Sequence, residues 1–216
     1  TAAGRYDFQR LRLMAAAARR HGLQVLWTLM HYGAPDDVDL RQGGWVPRFT
    51  DFAAAVAEEL RRLGEEAPVI TPVNEIGFLA WALSEGCLVG PARRPRAGDS
   101  RASGYEIKRH LVRASLAAMK AMRDVLPRAR FLHVEPLVHV VAPAGRPELA
   151  PLAEQVRSYQ WQAWDMLAGR QDAQLGGAPQ WLDVLGVNHY HNGQWEVETE
   201  QRLHWHLNDP RRRPFA

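Results

Sequence analysis

The sequence predicts an α/β fold built on a parallel sheet, and two observations carry that reading. Helical and strand patterns alternate strictly along the chain. The strand candidates are short, continuous apolar runs without a polar face, as strands covered on both sides must be. The 216 residues, 46% of them hydrophobic, suffice for one core, so residues 1–216 are read as a single barrel-type domain.

Asp7 caps a first helix that carries Phe8, Leu11, Met14 and Ala18 at helical spacing, and Gly22 stands where a left-handed residue would end it. Leu23 to Met30, almost wholly apolar, is the first strand. Thr50 or Asp51 opens a second helix with the stripe Phe52, Val56, Leu60 and Leu63, closed by Gly64. Val69 to Val73 is the second strand and delivers Asn74 and Glu75. A loop rich in Gly, Pro and Arg runs from Gly86 to Gly104. Ile107, Leu111, Ser115, Met119 and Met122 then mark one face of a long helix stopped by Pro127. Phe131 to Val134 is the third strand, Leu152 to Leu167 a further long helix, and Leu182 to Val187 the fourth strand.

Polar and aromatic residues gather at the carboxyl ends of all four strands: His31-Tyr32, Asn74-Glu75, Glu135 and Asn188-His189-Tyr190. Such convergence is what the active face of a (β/α)8 barrel requires. A doubly wound sheet would also bind ligands there, but no Gly-rich phosphate fingerprint follows any strand. A full barrel has eight strands in about 250 residues. The expectation is therefore a partial (β/α)8 TIM barrel of about four βα units, cut short at both ends.

Bulk properties exclude several functions. The net charge of +3 comes from Arg residues spread over helical segments, which read as solvated faces and not as a nucleic-acid footprint. Arg93-Arg94-Pro95-Arg96 and Arg211-Arg212-Arg213 are the densest basic clusters and read as solvated loops. Cys87 is the single cysteine, so no intramolecular disulfide forms, and a reducing, cytoplasmic location is expected. No apolar stretch approaches the roughly 20 residues that cross a bilayer, and no signal segment is present, so no membrane association is expected.

Glu75 is the leading catalytic candidate. A carboxylate at a strand's carboxyl end, beside an amide that can hold a sugar hydroxyl, reads as a glycosidase acid/base; the same Asn-Glu pair, taken alone, reads more readily as a cap of the following helix with Glu75 solvated. His31 and Tyr190 taken alone are as consistent with core groups as with a site. His189 with His191, and His204 with His206, form x-His-x-His pairs without a Cys or Asp partner set, so neither a metal site nor any cofactor is assigned. Trp81, Trp161, Trp164, Trp181 and Trp195 include candidates for a sugar-stacking platform, although helical aromatics more often belong to the core. Glu196, Glu198 and Glu200 alternate as the solvent face of a loop or edge strand would, and carry no assigned role.

Four motifs together resemble glycoside hydrolase family 1, the β-glucosidase-like group, over its middle portion only. Leu26-Trp-Thr-Leu-Met-His31-Tyr-Gly-Ala-Pro35 resembles the family's third strand, with Tyr32 in place of the usual Trp. Gly43-Gly44-Trp45, followed by Phe49 and Phe52, resembles the next loop and helix start. Thr71-Pro-Val-Asn74-Glu75 resembles the fourth-strand acid/base motif, with Ile76 in place of the usual Pro, and Leu185-Gly-Val-Asn188-His-Tyr190 resembles the sixth strand. The resemblance implies Glu75 as acid/base, His31 and Asn74 as sugar ligands, Tyr32 and Asn188 in the substrate site, and Tyr190 as neighbour of the nucleophile. It implies a small carbohydrate substrate.

The family's nucleophile, a Glu on its seventh strand, has no counterpart here, nor do its first-strand Gln and late Glu-Trp pair. A retaining glycosidase needs two carboxyl groups about 5 to 5.5 Å apart. Glu135 is the other strand-end Glu, and an alternative reading pairs it with Glu75. A further alternative is a catalytically inactive half barrel that binds carbohydrate or serves as a scaffold. Half a barrel also leaves sheet edges open, which predicts association into homo-oligomers.

Overall fold

The computed structural model describes residues 6–86, 103–203 and 210–213. Cys87, the Arg93 to Arg96 cluster, His204 with His206, and most of the loop between Gly86 and Gly104 lie outside the described residues.

Four strands, β1 (Leu26–Met30), β2 (Val69–Val73), β3 (Arg130–Val141) and β4 (Val184–Glu196), form one all-parallel sheet in the order β1-β2-β3-β4. Neighbours in sequence are neighbours in space, joined by helical crossovers, so the predicted α/β class and the four βα units are what the structure contains. The helices are α1 (Gln9–Arg20), α2 (Val46–Arg62), α3 (Ile76–Ser84), α4 (Gly104–Val125), α5 (Ala150–Ser158) and α6 (Gln162–Leu167).

The punctuation read from the sequence holds where glycine was used. Gly22 and Gly64 both take positive φ, +63° and +80°, and end α1 and α2. Asp7 accepts the Gln9 amide at 2.8 Å but stands one residue before the N-cap position, which Phe8 occupies without a side-chain capping bond. Other boundaries differ. α2 begins at Val46, four residues before Thr50, because Pro47 fits the first turn, where the missing N–H bonds nothing. In α1 the buried residues are Ala15 and Ala18, while Met14 is 54% exposed. The Leu152 to Leu167 pattern is broken into α5 and α6 by a 3-10 turn at Tyr159–Trp161. Both β3 and β4 run well past the apolar runs that marked them, carried on by a mutual ladder with a register shift between Leu137 and His139.

The main core lies on the helix side of the sheet, and β2 is buried on both faces. Trp27, Ile70 and Phe131 from the strands meet Val56 and Leu60 of α2 and Leu111, Met119 and Met122 of α4 in a continuous core. In parallel strands, residues side by side share a face. His133 pairs with Leu185 and Glu135 with Val187, which puts these four on the helix side of the sheet. His133 and Glu135 are buried there, whereas Leu185 and Val187 are more than half exposed. Gly186 and Asn188 belong to the opposite face. A small second cluster, Val140, Ala153 and Val197, closes the far end of the β3–β4 ladder.

Glu196 corrects the solvent-face expectation: it is 4% exposed and ion-paired to Arg211 at 2.8 Å. The alternation that suggested solvent holds only for Glu198 and Glu200, which are exposed at positive φ. No helix among the described residues is long and apolar enough to cross a membrane.

Candidate active site

The site is built where β2 turns into α3. Glu75 sits at φ 49°, ψ 63°, the left-handed region, which costs a residue with a Cβ about 1–2 kcal/mol. The surroundings impose it. The Asn74 amide donates to Met30 O at 3.0 Å, the Glu75 amide to Val134 O at 3.0 Å, and Glu75 O accepts from Leu79 N at 2.8 Å as α3 begins. Sheet bonds to both neighbouring strands and the first bond of the helix hold the turn from three sides. Tyr32, just beyond β1, is also left-handed at φ 65°.

This turn drives the Glu75 side chain into the group formed by the other strand ends, where the residue is 2% exposed. Its Oε1 accepts from Asn188 Nδ2 at 2.8 Å and from the Tyr190 hydroxyl at 3.1 Å. Its Oε2 accepts from the Tyr32 hydroxyl, which itself accepts from Asn74 Nδ2 at 3.1 Å. β1, β2 and β4 thus meet on one carboxyl group. Burial, and then the hydrogen bond to Glu75, hold the Tyr32 phenol far above its ordinary range, so it remains a donor. Burial and Glu75 move Tyr190 in the same direction.

The structure therefore brings together five of the six residues singled out from the sequence: Glu75, Asn74, Tyr32, Asn188 and Tyr190. His31 stands exposed at the edge of this group, its ring edge-on to Tyr32 at 4.5 Å. A line of rings continues outward from Tyr32 to Phe78 at 5.4 Å and Trp81 at 5.7 Å beyond, the last 55% exposed. Phe78 was not anticipated, because α3 itself was not read as a helix; the clue available was its place three residues after Glu75, one turn along a helix.

Glu135 is not part of the group on Glu75. Its carboxyl lies on the helix side of the sheet, where Oε2 and Oε1 accept the Gly77 amide at 2.9 and 3.2 Å. Burial pushes its pKa up to about 8, against the amides of Gly77 and Ile76 and the charge of Lys108. Strand parity decides this: Glu135 is one residue from Pro136, which pairs with Asn188 on the other face. His133, from the same face, is buried with Nε2 at 2.8 Å from Trp181 O, and burial lowers its pKa. His189 and His191 are exposed on β4. No cluster of three or more His, Cys, Asp or Glu side chains fit to hold a metal ion occurs among the described residues.

A parallel βα array whose strand ends converge on a buried carboxyl group defines the class: part of a (β/α)8 barrel. Solved structures agree on the fold. A β-glucosidase from Exiguobacterium marinum superposes with a TM-score of 0.64 at 17% identity, covering 91% of this chain and 49% of that one. A β-glycosidase from Pyrococcus horikoshii does so with a TM-score of 0.65 at 15% identity, covering 87% and 44%.

In sequence the chain is β-glucosidase-like over part of its length, in keeping with its resemblance to a portion of glycoside hydrolase family 1. Beta-glucosidase 8 of Arabidopsis thaliana is 33% identical over 66 residues, and Beta-glucosidase 7 of the same plant 34% identical over 64. Those segments are 30% and 29% of this chain and 13% of each relative. The chain spans less than half the length of the solved relatives described above. No family model matches it.

Proposed function

We propose that this chain carries the acid/base half of a glycoside hydrolase that cleaves β-glycosidic bonds with retention. The observation that supports the reading is the Glu75 carboxyl, buried at the carboxyl ends of the strands, where the active face of such a barrel lies. In the first step a protonated Glu75 gives its proton to the glycosidic oxygen as the bond to the anomeric carbon breaks and a second carboxylate attacks that carbon. In the second step Glu75 takes a proton from water, whose oxygen displaces the glycosyl ester. Asn74 and His31 hold sugar hydroxyls, and Asn188, Tyr190 and Tyr32 orient Glu75. The attacking carboxylate is assigned to a group outside the described residues. We place the protein in the cytoplasm, with a small carbohydrate as substrate and without a nucleic-acid or membrane partner.

The test is hydrolysis of a series of chromogenic and alkyl β-glucosides by the intact protein and its Glu75→Gln variant. Loss of general-acid help costs about 10²–10⁴-fold, concentrated on poor leaving groups. Equal rates in the two proteins would remove Glu75 from the reaction.

A second reading, sugar binding without hydrolysis, is favoured by a specific observation: both oxygens of Glu75 are already bonded within the protein. Saturable binding of glucose or cellobiose to a protein that turns over no glycoside would establish it. On either reading, we propose that the apolar helix-side face of β4, exposed at Leu185 and Val187, joins two copies of the chain.

A further inference from the structure

α3 starts without a cap of its own. Its N-cap residue is Glu75, whose side chain bonds elsewhere and accepts none of the helix's first amides. The first turn also holds no acidic residue. An exposed helix start would leave those amides to water; this one is buried, with Ile76 2% exposed.

Glu135 supplies the missing acceptor from another strand. Its carboxyl, 3% exposed, takes the amide of Gly77, the second residue of α3, on both oxygens. The Ile76 amide adds to the same interaction. An ordinary N-cap side chain bonds the second or third helical amide, so Glu135 does from β3 what Asp or Ser does from within a helix.

The neighbouring sequence fits this use. A proline at position 76 would have no N–H to offer and would drive Glu75 toward extended backbone, away from its left-handed turn. A Cβ at residue 77 would come within 2.7 Å of Glu135 Oε2, so the carboxyl holds its present place on the amide because residue 77 is glycine. The groups facing Glu135 are the two amides of α3, Lys108 of α4 and Glu75. Lys108 is 7% exposed, donates to Gln162 at 2.7 Å and supplies opposite charge.

We propose that Glu135 is a positioning residue for Glu75: by capping α3 across the sheet it fixes the left-handed turn that aims the Glu75 carboxyl at Tyr32, Asn188 and Tyr190. The proposal rests on Glu75 as the reacting group of the hydrolase described above, but its test reads the position of Glu75 directly. Glu135→Gln keeps an oxygen for the Gly77 amide but cannot ionise; Glu135→Leu has neither the oxygen nor the titration. Glu135→Asp, one methylene short of the amide, stands in for the leucine variant should that fail to fold.

Amide exchange and side-chain carboxyl NMR are measured on the three proteins. Exchange of the Gly77 amide should rise about tenfold in Glu135→Leu and little in Glu135→Gln. The Glu75 carboxyl signal should show a step near pH 8 in the parent, where Glu135 titrates, absent from both variants. Turnover of a chromogenic β-glucoside should fall in kcat, with KM kept, far more for leucine than for glutamine. An unchanged Gly77 amide and Glu75 signal in the leucine or aspartate variant would overturn the proposal even if the parent is an active glycosidase. A parent inactive on glycosides whose Glu75 signal responds as described would uphold the positioning role and remove the hydrolase reading instead.

Discussion

Tyr32 and Glu75 hold their side chains together across β1 and β2 while both stand in left-handed backbone, at φ 65° and 49°. Two unfavourable turns on neighbouring strands, facing each other through one hydrogen bond, are the kind of stored cost found where geometry serves a function. Tyr32 also receives Asn74, so one hydroxyl links the strand-end residues of β1 and β2.

Replacing Tyr32 by Phe removes the donor to Glu75 Oε2 and leaves Asn74 Nδ2 without its acceptor. The expected outcome is a loss of about 10–10³-fold in kcat/KM toward β-glucosides, with a stability cost of only about 1–2 kcal/mol. Steady-state kinetics and urea unfolding on the same variant separate the two effects.

Gly77→Ala should destabilise the protein although alanine is the better helix former by about 1 kcal/mol. The new Cβ meets the Glu135 carboxyl at 2.7 Å, so that buried carboxyl must shift away from the amide it caps. A net loss of about 1–3 kcal/mol in chemical denaturation is expected.

Glu135 makes stability depend on pH. Its folded pKa, about 8, lies above the ordinary carboxyl value of 4.5. The folded state therefore binds the proton more tightly, and the contribution is fully present below about pH 4.5 and lost as pH rises toward 8. Glu135→Gln should abolish this slope, so parent and variant diverge steadily between pH 5 and 8, with the variant relatively more stable at the alkaline end. Urea midpoints at intervals of pH measure it.

At the far end of the β3–β4 ladder, burial tends to raise the Glu196 pKa, and the bonds from Arg211 and Thr199 overcome it to leave the pKa lowered. Arg211→Met removes the ion pair and should cost about 1–3 kcal/mol, with Glu75 and its neighbours unaffected.

The four strands were legible because each is a short apolar run ended by a glycine, a proline or a polar cluster, and the site was legible because those clusters fall at carboxyl ends. The gathering of Tyr32, Asn74, Glu75, Asn188 and Tyr190 at one end needed no more than that, whereas their roles were expected only from the family resemblance. α3 was not legible: Ile76 to Leu83 is apolar nearly throughout, so it shows no helical stripe, and a wholly buried helix looks like loop or strand. With α3 unread, the role of Gly77 and the face of Glu135 were hidden, since both depend on what packs over the strand. Glu196 was misread for the related reason that its partner, Arg211, lies in a segment with no periodicity to place it.

The most direct test of Glu75 as the acid/base is the leaving-group dependence of β-glucoside hydrolysis in the intact protein and in Glu75→Gln, with the mass of the same sample measured alongside. The account predicts that the variant retains part of its rate on activated aryl glucosides and loses about 10²–10⁴-fold on alkyl glucosides. An active parent whose variant shows the same leaving-group dependence and the same rates would contradict it.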